Sequence, residues 1–214
     1  MRPGNNRRNW PSASLEKALF ASGIQSVAGI DEAGRGSWAG PVVAAAIILP
    51  LRTREDISQL SGVRDSKLMT PRQRETWAEK LRSLCLTHGI GLASSREIDE
   101  IGIVPATRVA MMRACQQLGQ TPEHLVIDYM LLPELALPQT TLAHGDAHVT
   151  SIAAASILAK VTRDNIMVGL DEEYPGYGFA QHKGYGTKLH RTCLMSKGPC
   201  PIHRQSYAPV RDSS

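Results

Sequence analysis

Two adjacent carboxylates interrupt an otherwise apolar part of the chain and limit what it can fold into. Residues 30–41 read IDEAGRGSWAGP and lie between two apolar, β-rich runs, residues 27–30 and 42–49. Side chains at neighbouring strand positions point to opposite faces, so each acid needs its own compensation if the strand is buried. A cation is the natural form of that compensation, and the glycines allow the turn that would join two strands.

Length and composition favour one soluble globular unit. The chain has 214 residues, 42% of them hydrophobic and 21% charged, and no run approaches the roughly 18 apolar residues that a membrane span needs. The opening MRPGNNRRNW is basic but is followed by no apolar stretch, so it does not resemble a secretory signal. We therefore expect a cytoplasmic protein without membrane association, and its four cysteines, which form no CxxC pair, to be free thiols.

The residue pattern predicts a mixed α/β sheet. Helices are predicted over residues 14–22, 71–86, 95–101, 104–118 and 151–164, with one more after Gly186, and strands over 27–30, 42–49, 89–93, 124–128 and 135–142. Thr70 and Thr150 are the predicted N-caps of two of these helices. An antiparallel pair of strands followed by strands that alternate with helices indicates the mixed sheet.

Three regions follow from this pattern. Residues 1–22 are predicted to be a leader and a short helix, residues 23–186 the core, and residues 187–214 a small basic helical region. From Lys183 onward the chain has six Lys or Arg residues against one acid, and the net charge of the whole chain is +4. This end of the chain is suited to an anionic partner, although a merely solvated basic surface has comparable weight.

Four acids are candidates for one site. Asp31 and Glu32 follow the first strand, Asp128 ends a later strand, and Asp146 lies in the turn HGDAH before the alanine-rich helix. Acids crowded together would repel one another unless divalent ions neutralised them, and a set of oxygen ligands suits Mg²⁺ or Mn²⁺. This pattern predicts metal-assisted phosphoryl chemistry. Taken singly, each acid could equally be a turn or cap residue.

A second set of residues has a zinc-like order near the C-terminus. It comprises His190, Cys193, Cys200 and His203. The spacings match no familiar zinc site, and prolines bracket Cys200, so packing or surface roles are favoured over metal binding.

Several ordered motifs resemble the bacterial ribonuclease HII family. They are GIDEAGRGSWAGPVVAAA at 29–46, DSK at 65–67, VID at 126–128, GDAHVTSIAAASILAKVTRD at 145–164, YGFAQHKGYGT at 177–187 and HRQSYAPV at 203–210. The resemblance covers the chain from about Val27 to Val210. It implies a ribonuclease H-like core, a five-stranded mixed sheet flanked by helices, followed by a small helical C-terminal region.

The resemblance also implies a reaction. Asp31, Glu32, Asp128 and Asp146 match the metal-binding carboxylates of a two-metal nuclease, with two Mn²⁺ or Mg²⁺ ions and water as the nucleophile. The implied substrates are RNA–DNA hybrids and duplex DNA with embedded ribonucleotides. Cleavage on the 5′ side of the ribonucleotide would leave a 3′-hydroxyl and a 5′-phosphate. Ribonucleotide excision repair and primer removal are the implied roles, and a monomer is expected.

Other matching positions suggest how the substrate is read. Gly34, Arg35 and Gly36 match the segment that reads the ribose before the cut, and Tyr185 matches the tyrosine that packs on the deoxyribose after it. Phosphate contacts or support of the acids are expected from Lys67, Ser151, Lys160, Lys183 and Arg204. The family commonly has a second lysine after DSK, followed by a leucine. Here Leu68 and Met69 stand at those places, so one phosphate contact could be absent.

The sequence also bears on two rival interpretations. The related ribonuclease HIII typically has a large N-terminal substrate-binding domain and lacks the same tyrosine, whereas the first strand here is predicted to begin at Val27. A non-catalytic nucleic-acid binder with this fold would need a hidden defect, because all four acids are present. Both interpretations are disfavoured.

Overall fold

A mixed five-stranded sheet organises residues 10–213, the part of the chain that the computed structural model describes. The strands are, in chain order, β1 (Val27–Ala33), β2 (Val42–Ile48), β3 (Thr87–Ala93), β4 (His124–Asp128) and β5 (Gln139–Leu142). Their order across the sheet is β3-β2-β1-β4-β5. Residues 1–9 of the expected leader, and residue 214, lie outside the described residues.

Helices cover both faces of this sheet. They are, in chain order, α1 (Ser14–Ala21), α2 (Arg54–Gln59), α3 (Pro71–Leu84), α4 (Ser95–Ile101), α5 (Ile103–Gln116), α6 (Thr150–Glu173), α7 (Phe179–His182), α8 (Lys188–Lys197) and α9 (Ala208–Arg211). Thr70 caps α3 as predicted, because its hydroxyl accepts the Gln73 amide. In residues 10–213 no helix is long and apolar enough to cross a membrane.

Strand directions bring the candidate acids to one edge of the sheet. β1 is antiparallel to β2 but parallel to β4, with Ile30 opposite Ile127. The carboxyl ends of parallel neighbours meet at the same edge, so Asp31 and Asp128 follow adjacent strand positions. The mixed α/β sheet that the pattern predicted is therefore confirmed.

The bounds of two predicted strands, β1 and β5, differ most from those in the structure. β1 continues to Ala33, so Asp31 and Glu32 lie inside the strand and pair with Ala45 and Ala44 of β2. The acids were expected to follow the strand, but the small alanines opposite them leave room for pairing to continue. β5 is shorter than predicted and begins at Gln139, after Pro138, which has no amide hydrogen to donate to a neighbouring strand.

Small residues let α6 lie close against the sheet. A β-carbon on Gly29 would stand 2.3 Å from the carbonyl carbon of Ser151, so only glycine fits at this point of β1. Ala153, Ala154 and Ala155 are fully buried in the same layer. Together with α3 this helix covers one face of the sheet, and α5 covers the other face.

The N-terminus of α6 is capped by a residue that is distant in sequence. Thr150 was expected to be the N-cap, but it is already helical, and Val149 before it has no capping side chain. Instead, a carboxylate oxygen of Glu16, in α1, accepts the Ser151 amide at 2.9 Å. Burial raises the pKa of Glu16, while its place at a helix N-terminus favours its charge.

The C-terminal segment builds a small core of its own beside the sheet. Tyr177, Phe179 and Cys200 pack there with Met167, which belongs to the end of α6. The segment is also joined to the loop between β1 and β2, since Ala39 and His203 form an isolated antiparallel bridge. The helical C-terminal region therefore packs directly on the loop that follows the two acids.

Candidate active site

Three elements bring the four predicted acids toward one edge of the sheet. Asp31 and Glu32 belong to β1, Asp128 ends β4, and Asp146 lies in a short 3₁₀ turn, Gly145–Ala147, just before α6. Asp31 and Asp146 are almost fully buried, 4% and 3% exposed. Buried acids of the same sign require an electrostatic explanation.

The carboxylates act on one another. Burial, followed by the charges of Glu32, Asp128 and Asp146, raises the pKa of Asp31 well above its ordinary value. Burial also raises the pKa of Glu32, with Asp128 adding to the effect and Arg35 opposing it. The Arg35 guanidinium lies 3.4 Å from a Glu32 oxygen. The acids therefore act on one another electrostatically within this part of the fold.

Strained backbone holds two of the acids. Asp128 is followed directly by Tyr129 with φ 62°, and His144, two residues before Asp146, has φ 56°; both values lie in the left-handed region that non-glycine residues rarely adopt. An Asp128 oxygen accepts the Gly145 amide at 2.7 Å, which ties the two acid-bearing segments together. Burial raises the pKa of Asp128, and this hydrogen bond opposes the rise.

A lysine from the DSK motif lies over Asp146. Its ammonium, on Lys67, is 2.9 Å from an Asp146 oxygen, and its side chain is 76% exposed. Burial alone would lower the pKa of Lys67, but the hydrogen bond and charge of Asp146, together with Asp65 and Asp31, raise it overall. Lys67 can therefore partly neutralise the acids while its stem remains open to solvent.

The acids open into a cavity of about 210 Å³. It is lined by Asp31, Glu32, Ala33, Gly34, Arg35, Ser66, Lys67, Asp128, Lys160 and Tyr185. Eight of the predicted site residues thus line one cavity, and Asp146 adjoins it through its contact with Lys67. A neighbouring cavity shares Lys160 and Tyr185 and extends along the start of α3.

The donor set of this cavity fits hard divalent ions. Every candidate ligand is a carboxylate, and carboxylate oxygens are preferred by Mg²⁺ and Mn²⁺. Between residues 10 and 213, however, no three His, Cys, Asp or Glu side chains already stand in a finished coordination cluster. Glu32 instead contacts Arg35, and Asp146 contacts Lys67, so ion binding would require small side-chain rotations.

The glycine–arginine–glycine segment, residues 34–36, forms a turn that packs on two buried arginines, Arg163 and Arg204. Gly34 has φ 94°, and a β-carbon there would lie 1.9 Å from Nε of Arg163. The backbone carbonyls of Gly34 and Arg35 accept hydrogen bonds from the buried Arg204 guanidinium at 2.7 and 2.8 Å. Gly36 is exposed and has open space where a β-carbon would stand.

Tyr185 lines the same cavity as this turn. The Lys160 ammonium lies 5.4 Å from the centre of its ring, and the Arg163 guanidinium 5.3 Å. Lys160 also contacts Asp164 at 2.7 Å. The tyrosine is thus held against two cations, with part of its ring still exposed to the cavity.

Two of the weaker predictions, Arg204 and Ser151, do not fit the structure as direct phosphate contacts, whereas Lys183 is half-buried. Arg204 is fully buried, and its guanidinium is used by backbone carbonyls and Tyr207. Ser151 is 1% exposed beneath β1. The Lys183 ammonium donates to the Ala180 carbonyl and lies in the neighbouring cavity. The sequence predicts either phosphate contacts or support of the acids for these residues, and it cannot show which side chains of a motif are turned inward.

Two residues near the site were missed. Arg163 is fully buried and donates to the carbonyls of Pro41, Ala39 and Lys183. Asp65 opens the DSK motif, and its pKa is raised by burial and then by the charge of Asp146. The signal for Arg163 was available, since an arginine that continues an alanine-rich buried helix face cannot be solvated.

The zinc-like residues form a hydrogen-bonded histidine pair. The Cys200 amide donates to Nδ1 of His203 at 2.9 Å, so that nitrogen carries no proton. Nε2 of His203 must then donate to Nε2 of His190 at 3.0 Å, and Nδ1 of His190 donates to the Tyr185 carbonyl at 3.0 Å. Burial first, and then neighbouring histidines, lower the pKa of His190 to about 4. The pair is neutral and holds the backbone of Tyr185.

Comparison with known proteins agrees with these motifs. The family model "Ribonuclease HII" matches residues 28–210. Ribonuclease HII of Synechococcus sp. is 51% identical over 202 residues, covering 94% of this chain and 90% of the relative. The same enzyme of Dehalococcoides mccartyi is 48% identical and covers 94% of each chain.

A solved structure extends the agreement to the fold. The crystal structure of ribonuclease H2 from Pyrococcus horikoshii matches with a TM-score of 0.75 and 27% identity, covering 88% of this chain and 97% of that one. Sequence and fold therefore point the same way. This chain belongs to the ribonuclease HII family and is a ribonuclease H endonuclease.

Proposed function

We propose that this chain hydrolyses the phosphodiester on the 5′ side of a ribonucleotide, both in RNA–DNA hybrids and at RNA–DNA junctions in duplex DNA. The products would be a 3′-hydroxyl and a 5′-phosphate. The observation that supports this most strongly is that Asp31, Glu32 and Asp128 line one cavity together with Gly34 and Tyr185. Ribonucleotide excision repair and primer removal are the corresponding cellular roles.

The four acids would hold the ions. Two bound Mg²⁺ or Mn²⁺ ions would activate a water nucleophile and stabilise the leaving oxygen. Besides burial, the charges of Glu32, Asp128 and Asp146 all act on Asp31 and raise its pKa. It is therefore the acid whose ionised form bound ions would stabilise most. Lys67, which faces Asp146 from the open side, would release that contact and turn toward a substrate phosphate.

The cavity walls would read the sugars on either side of the cut. Backbone groups of the segment 34–36 would contact a ribose 2′-hydroxyl, because glycines allow close approach of the main chain. The Tyr185 ring, fixed by Lys160 and Arg163, would pack on the next sugar. Recognition would then depend on the sugars rather than on the bases.

A substitution of Asp31 tests this function. We expect Asp31→Asn to abolish Mn²⁺-dependent cleavage of a DNA duplex that contains one ribonucleotide, because the amide cannot supply the charge that the ions need. Mapping the cut by gel electrophoresis would check both activity and position. A wild-type cut on the 3′ side of the ribonucleotide, or full activity of the variant, would contradict the proposal.

Two controls separate this reading from its rivals. Cleavage by the wild-type protein should stop in chelator, and Glu79→Gln, which alters an exposed acid of α3, should leave cleavage unchanged. Tight binding by the wild-type protein without any cleavage in Mg²⁺ or Mn²⁺ would instead favour a non-catalytic binder.

A further inference from the structure

The two largest fully buried side chains of residues 10–213 are arginines, Arg163 and Arg204. Neither forms an ion pair with a carboxylate in this part of the chain. Burial lowers the pKa of Arg163 to about 10 and also lowers the pKa of Arg204. A buried cation without a counter-charge is costly, so its remaining hydrogen bonds must carry the compensation.

Those hydrogen bonds go to backbone carbonyls around the candidate site. Arg204 donates to the carbonyls of Gly34, Arg35 and Gly40 at 2.7 to 3.1 Å. Arg163 donates to the carbonyls of Ala39, Pro41 and Lys183, and so joins the loop after β1 to the segment that leads to Tyr185.

Because peptide groups are planar and trans, a hydrogen bond that fixes the direction of a carbonyl also fixes the direction of the amide in the same peptide group. Its carbonyl and its amide hydrogen point in opposite directions, and the chain has no cis peptide bond among the described residues. Because the carbonyls of Gly34 and Arg35 point down to Arg204, the amides of Arg35 and Gly36 point away from it, toward the exposed side of the turn. Within residues 10–213 these two amides have no hydrogen-bond acceptor.

Tyr207 strengthens the orientation of one of these peptides. Its hydroxyl receives a hydrogen bond from Arg204 at 3.0 Å and donates to the Arg35 carbonyl at 2.8 Å. The Arg35 carbonyl is therefore held by two donors from the C-terminal segment. Since Tyr207 lies 172 residues from Arg35 in the sequence, this contact depends on the final packing of the chain.

We infer that Arg204 and Tyr207 are positioning residues for sugar recognition: they fix the peptide planes of residues 34–36 so that two free amides face the ribonucleotide. The inference rests on the proposed function. Arg204 would contribute to the preference for a ribonucleotide without contacting the nucleic acid. Tyr207 would have a role that the sequence motifs alone do not indicate.

The inference is tested by measuring how strongly the protein prefers a duplex that contains a ribonucleotide. Affinity is measured by fluorescence anisotropy at fixed salt in chelator, for a DNA duplex with one ribonucleotide and for the same duplex in DNA alone. We expect the wild-type protein to prefer the ribonucleotide, Tyr207→Phe to reduce that preference about threefold, and Arg204→Lys to reduce it about tenfold, as expected for the loss of one and of several hydrogen bonds. The affinity for the all-DNA duplex should stay the same.

Controls keep the outcomes distinct. Arg211→Lys, an equal change at an exposed position of α9, should keep the full preference. Tyr207→Phe retains the ring, so its melting temperature shows whether a loss of selectivity comes from unfolding. An unchanged preference in both variants, or an equal loss of affinity for both duplexes, would overturn the inference. Wild-type cleavage in Mn²⁺ tests the proposed function separately and does not depend on these variants.

Discussion

At the scale of single residues, the buried charge of Asp31 lowers the stability of the folded protein. Asp31 is 4% exposed, and burial and three neighbouring acids all raise its pKa. An acid whose pKa is raised on folding contributes unfavourably while it is ionised, because the unfolded chain holds the same charge in water. The protein keeps this residue although a neutral one would suit the same position better.

Removal of that charge should therefore stabilise the protein. In chelator at pH 7 we expect Asp31→Asn to raise the melting temperature by about 2–6 °C, which corresponds to about 1–2 kcal/mol for a chain of this size. An asparagine oxygen can still accept the Glu32 amide, as Asp31 does at 2.7 Å, so the change mainly removes charge. Differential scanning calorimetry would measure the effect.

The matched control for this prediction is Glu79→Gln, which neutralises an exposed acid on α3. That variant should melt within about 1 °C of the wild-type protein, as surface substitutions usually do. If Asp31→Asn melted below the wild-type protein, the picture of mutually repelling buried acids would be wrong.

At the scale of secondary structure, local patterns predicted most elements. The Thr70 cap with Pro71 marked the start of α3, and the alanines from Ala153 marked a helix that lies close to the sheet. The ends of β1 and β5 were less predictable, because strand length depends on the partner strand. The cap of α6 could not be predicted at all, since Glu16 and Ser151 are 135 residues apart.

The same contrast between local sequence signals and contacts of distant residues applies to the site. The four acids and the segment 34–36 could be located because motifs keep their chemistry in short stretches of sequence. The inward direction of Arg204 could not be predicted, because an arginine in a basic C-terminal region is most often solvated. Only the packed chain brings its guanidinium beneath Gly34.

The neutral histidine pair makes the segment of Tyr185 sensitive to acid. The pKa of His190 is lowered to about 4 by burial, whereas an unfolded histidine titrates near 6.5. The stability that neutral His190 contributes is therefore complete above about pH 6.5 and is lost as the pH falls toward 4. Acids with raised pKa values, such as Asp31, change stability in the opposite direction over an acidic range.

A substitution separates these two contributions. As the pH falls from 6.5 to 4, we expect the melting temperature of His190→Gln, which cannot take up the proton, to change less unfavourably than that of the wild-type protein, because both proteins keep the opposing contribution of the buried acids. Melting curves at half-unit intervals of pH would measure the slopes. The control His148→Gln alters an exposed histidine and should keep the wild-type slope. Equal slopes in all three proteins would show that the histidine pair does not control acid stability.

At the scale of the whole molecule, the C-terminal segment and the sheet depend on each other. The Gly40 amide donates to the Ile202 carbonyl, and the Arg204 amide to the Trp38 carbonyl, at 2.9 and 2.8 Å. The loop after β1, which carries the segment 34–36, is therefore hydrogen-bonded to the C-terminal segment through its backbone. The sequence pattern divides the chain into a core of residues 23–186 and a region of residues 187–214. Because the two parts share these hydrogen bonds, we expect them to unfold together.

A truncation tests that dependence. A chain that ends at Gly186 would leave the carbonyls of Gly34, Arg35 and Gly40 without Arg204, and the Tyr185 carbonyl without His190. Several buried groups would lose their partners at once, each at a cost of about 1–3 kcal/mol. We expect the truncated chain to melt more than about 10 °C below the full chain, or not to fold.

Calorimetry of the full chain supplies the complementary result, since one cooperative unit should give a single transition. Removal of residues 213–214 alone is the control, and it should change the melting temperature little because all the donors named above remain. Two separate transitions in the full chain, or a truncated chain as stable as the full one, would mean that the turn of residues 34–36 is rigid without the C-terminal segment. Arg204 would then be a consequence of that rigidity and not its cause.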